Sequence, residues 1–211
     1  MLEDKLKSEQ LTQAYLKRFL SKNHESLDIL SRNLTCAAEL ISSFKQVSVD
    51  QVSEESREVV LSNYLQEIIL SLRPKIRKAA AIVNLQHDND YPCLILPGAF
   101  SQVMTNLITN SISHGFGERK GGIITINTDV TQNGKITICY SDDGVGIDEK
   151  IIDKIMEPFF TTKRSEGGSG LGLHLVYNLV TQALDGHIVL DNESEHGVSF
   201  DITFPVEIAA T

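Results

Sequence analysis

Three polar side chains recur at every fourth position in the stretch NLITNSISH: Asn106, Asn110 and His114. In a helix, residues four apart lie on the same face. Amide oxygens can coordinate a hard cation, and amide nitrogens can donate hydrogen bonds to phosphate oxygens. The neighbouring residues are apolar enough for a buried helix. This polar face is therefore either part of a phosphate and metal site or a seam that faces solvent.

The next candidate segment, SDDGVGI, combines a carboxylate with two glycines that follow it. Asp142 closes an apolar strand-like run, and Gly144 and Gly146 follow it. The carboxylate is a fixed hydrogen-bond acceptor, and glycine lets the backbone approach a ligand closely. The same residues also suit an ordinary turn at the end of a strand.

The third segment, EPFFTTKRSEGGSGLGLHLV, is glycine-rich and spans residues 157–176. Gly168, Gly170 and Gly172 alternate directly before an apolar, helix-like run. Backbone N–H groups at a helix start can bind phosphates. However, neither the G-x-x-x-x-G-K-[ST] loop nor a glycine-rich turn directly after a strand is present. The glycines alone do not identify a ligand.

The elements that position these segments alternate between the periods of strands and helices. Strands are predicted at 58–61, 81–86, 93–97, 122–130, 135–143, 187–191 and 198–205, and helices at 62–80, 98–116, 148–156 and 172–186. A break is expected at Pro74, and Asn133-Gly134 predicts a hairpin. The predicted fold class is α+β: a two-layer α/β sandwich, with a mixed sheet and helices on one face, preceded by an N-terminal helical segment. The predicted domains are a helical dimerisation segment (1–48), a linker (49–56) and the α/β domain (57–207).

The N-terminal segment lacks Gly and Pro, and its apolar residues recur at alternating spacings of three and four. This is the pattern of a helix that packs lengthwise against other helices. Thr12 is the expected cap of a second, shorter helix. The segment is predicted to form a helical hairpin or a dimer bundle. The apolar positions are Leu27, Leu30, Leu34, Ala37, Ile41 and Phe44.

Composition excludes several classes of protein. The formal net charge of -9 argues against nucleic acid as a partner. No apolar run approaches the roughly 20 residues of a membrane span, and the first ten residues are too charged for a signal peptide. Cys36, Cys93 and Cys139 are scattered in apolar sequence, which is typical of reduced thiols in a cytoplasmic protein.

Taken together and in this order, the three segments and EPFFTT resemble the catalytic domain of sensor histidine kinases. These kinases belong to the ATP-binding superfamily that includes gyrase and the mismatch-repair ATPases. NLITNSISH resembles the asparagine box, DDGVGI the first glycine box, EPFFTT the phenylalanine box and GGSGLGL the second glycine box. The resemblance covers residues 22–205.

The resemblance implies that the cofactors are ATP and Mg²⁺. By this resemblance, Asp142 accepts a hydrogen bond from the adenine amino group and Asn110 is the metal ligand. Residues 157–169 form a lid over the nucleotide, with Phe159 and Phe160 as anchors. Lys163 offsets phosphate charge, assisted by Arg164. The nucleotide-binding residues implied are Asn106, Asn110, His114, Asp142, Gly144, Gly146, Ile147, Phe160, Thr161, Thr162, Lys163, Gly168, Ser169, Gly170, Leu171 and Gly172.

One departure from the superfamily pattern bears on the reaction. Hydrolytic relatives carry a Glu four residues before the metal-binding asparagine, where this chain has Asn106. An amide is not a general base at neutral pH. The pocket is therefore predicted to hold ATP for phosphoryl transfer; the alternatives are a scaffold without kinase activity and an ATPase of the gyrase type.

The histidine that receives the phosphoryl group is not evident. The family uses a motif like H-E-x-x-x-P-L on the first helix of a dimeric hairpin. His24-Glu25 is the one H-E pair, but Ile29 stands where the motif has Pro. By the resemblance, residues 26–47, which lead into the ATP domain, correspond to the second helix of that hairpin, so 1–48 would be a partial hairpin without the phosphoacceptor helix. We therefore expect the chain to be the back part of a longer kinase, or to supply an ATP domain to a partner that bears the histidine. The other implied partners are a response regulator receiver domain and a second copy bound through the N-terminal helices. Any membrane contact would come only from regions outside this chain.

Overall fold

A computed structural model of the chain describes residues 12–49, 55–117, 119–164, 168–191 and 197–209. The chain forms two compact units that divide between Ser42 and Ser43. Among the described residues, no helix combines the length and the apolar character needed to cross a bilayer.

The first unit contains most of α1 (Gln13–Val49), a single uninterrupted helix. The backbone N–H of Tyr15 donates to Thr12 Oγ1 over 3.3 Å, which confirms the predicted cap. The prediction of a separate, shorter helix after Thr12 is wrong, because one helix runs through that region. No Gly or Pro interrupts the backbone hydrogen bonds there, so the helix continues. The earlier part of the predicted 1–48 helix lies outside the described residues.

The second unit contains eight strands in its described part: β1 (Arg57–Val59), β2 (Ile82–His87), β3 (Cys93–Ile95), β4 (Ile123–Thr131), β5 (Lys135–Asp142), β6 (His187–Asp191), β7 (Val198–Pro205) and β8 (Glu207–Ile208). Five of them form one sheet in the order β2-β4-β5-β7-β6. β2 and β4 are parallel, and the other neighbours are antiparallel. The sheet is therefore mixed, as predicted.

The helices of this unit are α2 (Leu61–Ser71), α3 (Arg73–Ala79), α4 (Pro97–Asn110) and α5 (Gly172–Asn178), with a 3₁₀ helix at Glu149–Lys154. α2 ends and α3 begins beside Pro74, which occupies the first turn of α3 and confirms the predicted break. The 148–156 segment forms the shorter 3₁₀ helix.

The core lies between the helices and one face of the sheet. Burial alternates along β4 and β5: Ile124 and Ile126 are buried, as are Ile136, Ile138 and Tyr140, while the intervening residues are more exposed. Leucine, isoleucine and phenylalanine side chains of α2 and α4 complete this core. Each fully buried side chain of this size contributes about 1.5–3 kcal/mol. The predicted two-layer sandwich is confirmed.

A second, smaller sheet was not predicted. It joins β1, β3 and β8 in that order, all antiparallel. β8 has only two residues, which is too short for the period-2 pattern by which strands are predicted.

α4 and α5 both end in a wider turn that the sequence did not predict. After Asn110, α4 continues as a π-helical turn, Ser111–Gly115, in which Phe116 N donates to Ser111 O over 2.8 Å. α5 continues likewise as Leu179–Ala183. Such turns hold one extra residue per hydrogen bond and frequently occur at functional sites.

Candidate nucleotide site

Two amide side chains of α4 face the start of α5. A Cβ placed on Gly172, the first residue of α5, would lie 3.3 Å from Asn110 Oδ1 and 3.8 Å from Asn106 Oδ1. The structure therefore brings the asparagines together with the last glycine of the glycine-rich segment, 62 residues further along the chain from Asn110. His114 lies half-buried in the π turn that follows.

The amide nitrogen of Asn106 is buried and has no hydrogen-bond partner among the described residues. Leaving a buried donor unsatisfied costs about 1–3 kcal/mol. Buried polar groups are nearly always paired, and each exception requires an explanation. A ligand that brings hydrogen-bond acceptors to this position would remove the penalty, and phosphate oxygens are acceptors.

Asp142 ends β5 with its side chain almost entirely enclosed. It is 8% exposed, and the N–H of Gly144 donates to its Oδ1 over 2.9 Å. A Cβ on Gly115 would lie 3.3 Å from both carboxylate oxygens. Since Gly115 belongs to the π turn after Asn110, this turn connects the carboxylate with the two amides on α4.

The adjacent carboxylate, Asp143, is held by protein partners. Ile123 N donates to Asp143 Oδ1 over 2.7 Å, and Arg119 Nη2 lies 2.8 Å from Oδ2. The backbone hydrogen bond from Ile123, together with the Arg119 guanidinium, lowers the pKa of Asp143 below its usual range. Asp143 therefore fixes the loop after β5, whereas Asp142 is the carboxylate of this pair that lies beside Gly115 of the π turn.

The first part of the lid packs against the glycine-rich segment. Gly170 has a φ of +72°, and a Cβ there would lie 2.5 Å from Phe159 C and 2.7 Å from Phe160 O. Only glycine can adopt this backbone so close to another chain segment. Phe160 packs against the core, as expected of an anchor.

One expectation for the lid is corrected. Phe159 is not an anchor, because its side chain is 48% exposed and its φ is +66°. This left-handed backbone leaves the ring outside the core. Arg164 Nη2 donates to Phe159 O over 2.8 Å.

The remaining lid residues make local hydrogen bonds. Lys163 N donates to Thr161 Oγ1 over 3.1 Å, and Gly168 N donates to Lys163 O over 3.0 Å. Thr162 is exposed and Ser169 is half-buried. Residues 165–167 lie outside the described residues.

α5 also holds the chain just before the lid. Asn178 Nδ2 donates to His174 Nε2 over 3.0 Å, which leaves the ring proton of His174 on Nδ1 to donate to Met156 O, also over 3.0 Å. Leu171 is buried at the start of α5, and Ile147 packs against the core. Gly146 has a φ of +74° in the loop after β5.

The donor set suits a metal that needs few protein ligands. Within the described residues, no three His, Cys, Asp or Glu side chains cluster closely enough to hold an ion. A Mg²⁺ ion keeps several waters and takes oxygens from phosphates, so one amide oxygen can suffice. Asn110 Oδ1, beside Gly172, is such an oxygen.

Several residues around the site were missed by the sequence analysis: Ser111, Gly115, Arg119 and Tyr140. Tyr140 could have been found, because the period of two places it on the same face of β5 as Asp142. No comparable signal identifies Ser111, whose position depends on how α4 packs on the sheet.

Comparisons with known proteins agree with this geometry. Residues 96–208 match the family described as histidine kinase-, DNA gyrase B- and HSP90-like ATPase. Over 116 residues, the chain is 33% identical to the autoinducer 2 sensor kinase/phosphatase LuxQ of Vibrio parahaemolyticus, covering 51% of this chain and 13% of that protein. The chain thus spans a small part of that relative's length.

Two solved structures share the fold. The catalytic domain of histidine kinase ThkA superposes with a TM-score of 0.61 at 29% identity, over 72% of this chain and 97% of that one. Histidine kinase ThkA in complex with the response regulator protein TrrA gives a TM-score of 0.62 at 25% identity, over 97% of this chain and 55% of that one. The family match covers more than half of the chain, including both asparagines, Asp142 and the glycine-rich segment. This chain belongs to the histidine kinase-, DNA gyrase B- and HSP90-like ATPase family, and it contains a histidine kinase ATP-binding domain.

Proposed function

We propose that residues 57–207 bind Mg-ATP between α4, the end of β5 and the lid, and present its γ-phosphoryl group to a histidine. The observation that best supports this is the buried amide nitrogen of Asn106, which has no hydrogen-bond partner in the described part of the chain. It lies on the same helix as Asn110, whose amide faces the glycine that opens α5. Phosphate oxygens at the start of α5 would accept from Asn106 and from backbone N–H groups.

The remaining roles follow from the chemistry of each side chain. Asn110 would hold Mg²⁺ through its amide oxygen, and the ion would neutralise phosphate charge. Asp142, at the enclosed end of β5, would accept a hydrogen bond from the adenine amino group. Lys163 would add positive charge from the lid.

The proposed outcome is transfer and not rapid hydrolysis. Activation of an attacking water requires a general base. Asn106, which occupies the position of the glutamate in hydrolytic relatives, cannot accept a proton at neutral pH. We therefore expect slow ATP turnover by the isolated chain; a fast steady-state release of phosphate would favour the ATPase alternative.

Nucleotide binding can be tested by calorimetry with Mg-ATP. Loss of a hydrogen bond to a charged group costs about 1.5–3 kcal/mol, so Asp142→Asn should weaken binding about tenfold or more. Asp185→Asn is the matched control, because Asp185 is exposed and has a φ of +51° that Asn also tolerates. Unchanged affinity in Asp142→Asn would refute the adenine assignment. If the wild-type chain binds no nucleotide, the remaining alternative is a scaffold without kinase activity.

We further propose that the phosphoacceptor histidine lies outside this chain. His24 is exposed on α1, 3.9 Å from Asp28, and lacks the sequence motif of an acceptor. When the chain is incubated with γ-labelled ATP, it should bind the nucleotide without becoming covalently labelled. The proposal would be contradicted by a covalent, acid-labile label on the chain that the His24→Ala variant lacks.

Dimerisation through α1 is proposed because three leucines among its described side chains are exposed. Leu27, Leu30 and Leu34 are 62%, 56% and 70% exposed, and their 3-4 spacing is that of a helix that packs on a second helix. A second copy of α1 is the proposed occupant. Analytical ultracentrifugation should show a dimer that Leu34→Glu converts to monomer, while the neighbouring exposed Asn33→Glu leaves it intact. A monomeric wild type would contradict this arrangement.

The proposed phosphoryl recipient after the histidine is the receiver domain of a response regulator in the cytoplasm, where ATP is available. The structure of ThkA with TrrA supports this partner class, because 97% of the present chain aligns with that kinase. Phosphotransfer from the phosphorylated histidine to a purified receiver domain would test it; label that stays on the histidine would contradict it.

A further inference from the structure

Three buried side chains form a row of hydrogen bonds behind the proposed adenine site. Ser111 Oγ lies 2.6 Å from the hydroxyl of Tyr140 and donates to Asp142 Oδ2 over 2.5 Å. Their exposed fractions are 3% for Ser111, 1% for Tyr140 and 8% for Asp142. Tyr140 and Asp142 lie on one face of β5, and Ser111 reaches them from the first residue of the π turn.

The direction of these hydrogen bonds follows from the groups themselves. A carboxylate has no proton to donate, so the Ser111 hydroxyl is the donor to Asp142. Its oxygen is then available to accept from Tyr140. Burial raises the pKa of Tyr140 above its usual value, so the phenol keeps its proton and remains the donor. The order is therefore Tyr140 to Ser111 to Asp142.

The other carboxylate oxygen is also held. Gly144 N donates to Asp142 Oδ1 over 2.9 Å, and Gly115 packs close to both oxygens. With one donor on each oxygen, the plane of the carboxylate is fixed. Each oxygen can still accept another hydrogen bond, because it has two lone pairs.

We propose that Ser111 and Tyr140 are positioning residues that hold Asp142 as a fixed hydrogen-bond acceptor, and so set the preference of the site for a purine with a 6-amino group. This inference rests on the proposed binding of adenine by Asp142. Adenine offers an N–H at position 6, whereas hypoxanthine offers a carbonyl oxygen that a carboxylate repels. Without Ser111, the carboxylate retains one of its two donors and loses its fixed plane.

The test compares Mg-ATP with Mg-ITP, two nucleotides that differ at the purine ring but share the phosphates. Calorimetry gives the ratio of their affinities for the wild type, Ser111→Ala and Tyr140→Phe. The wild type should prefer Mg-ATP. Ser111→Ala should reduce this preference by about tenfold or more, mainly through weaker ATP binding. Tyr140→Phe should reduce it less, because Tyr140 acts through Ser111.

Two comparisons separate positioning from a merely structural effect. Combined with Ser111→Ala, Tyr140→Phe should cause no further loss of preference, as expected of residues that act in series. Ser113→Ala, an exposed serine in the same π turn, should leave the ratio unchanged. General damage to the fold would weaken the binding of both nucleotides equally, and that result would overturn the inference.

The result also separates this inference from the proposed function. A wild type that prefers Mg-ATP, with Ser111→Ala and Tyr140→Phe retaining the full preference, would overturn the positioning role while leaving nucleotide binding intact. A wild type that binds neither nucleotide would overturn the proposed function itself. If Ser111→Ala does not fold, Tyr140→Phe decides alone.

Discussion

Replacement of Asn106 by leucine should stabilise the nucleotide-free protein while abolishing much of its response to ATP. The Asn106 amide nitrogen is buried without a partner in the described structure. Leucine has nearly the same shape as asparagine and removes this unsatisfied donor. The expected gain in the free energy of unfolding is about 1–3 kcal/mol. For a domain of this size each kcal/mol corresponds to ~2–4 °C in Tm.

Thermal denaturation with and without Mg-ATP measures both effects. The wild type should melt at a lower temperature than Asn106→Leu when nucleotide is absent. Mg-ATP should raise the Tm of the wild type, since a ligand that binds only the folded state stabilises it. The rise should be much smaller for Asn106→Leu, because the donor proposed to face the phosphates is gone.

Asn178→Leu is the matched control for this change. The amide nitrogen of Asn178 is satisfied, since it donates to His174 Nε2 over 3.0 Å. The same substitution there should destabilise the protein by about 0.5–1.5 kcal/mol. A lower Tm for nucleotide-free Asn106→Leu would refute the cost assigned to the buried amide. An undiminished Tm rise with Mg-ATP would refute its role toward phosphate.

Three further predictions concern the framework of the site. A Cβ at Gly144 would lie 2.7 Å from the backbone of Gly115, so Gly144→Ala should lower the free energy of unfolding in urea by about 1–3 kcal/mol; an unchanged midpoint would contradict this packing. The pKa of Asp143 is lowered by the backbone hydrogen bond from Ile123 and by its arginine partner. Its ionised form therefore stabilises the fold above its usual pKa of 3.8, and this contribution is lost as the pH falls below that value. Between neutral pH and about pH 3, Asp143→Asn should lose less stability in urea than the wild type, and equal losses would count against the assignment. Burial raises the pKa of Cys93 to about 11, so a thiol reagent at pH 8 should modify it only on unfolding; rapid labelling of Cys93 in the folded protein would disprove its enclosure.

Much of the fold could be predicted because it depends on local patterns. Alternation of apolar residues identified β4 and β5, and the Asn133-Gly134 turn placed them in one hairpin. Pro74 marked the break between α2 and α3. A short element such as β8 contains too few residues for any period, so its pairing with β3 emerged only in the folded chain.

The candidate site was predicted in part, since side-chain types and spacing indicate chemistry but not contacts. The polar face of α4 and the glycines before α5 were evident in the sequence. The sequence did not reveal the hydrogen-bond partner of Arg164 or the outward position of Phe159, because both depend on a left-handed backbone at Phe159. Non-glycine residues seldom adopt that conformation, and no local pattern predicts it.

By itself, the sequence determined the order of helices and strands and the chemical groups available to bind a nucleotide, because these depend on neighbours within a few residues. Only the tertiary structure decided which of two adjacent carboxylates is bound by Arg119 and which is held by Ser111. It also decided that the amide nitrogen of Asn106 would have no hydrogen-bond partner among the described residues. Ser111 and Asp142 are 31 residues apart in the chain. They meet because the π turn after α4 packs against the end of β5, a contact set by the shape of the whole core.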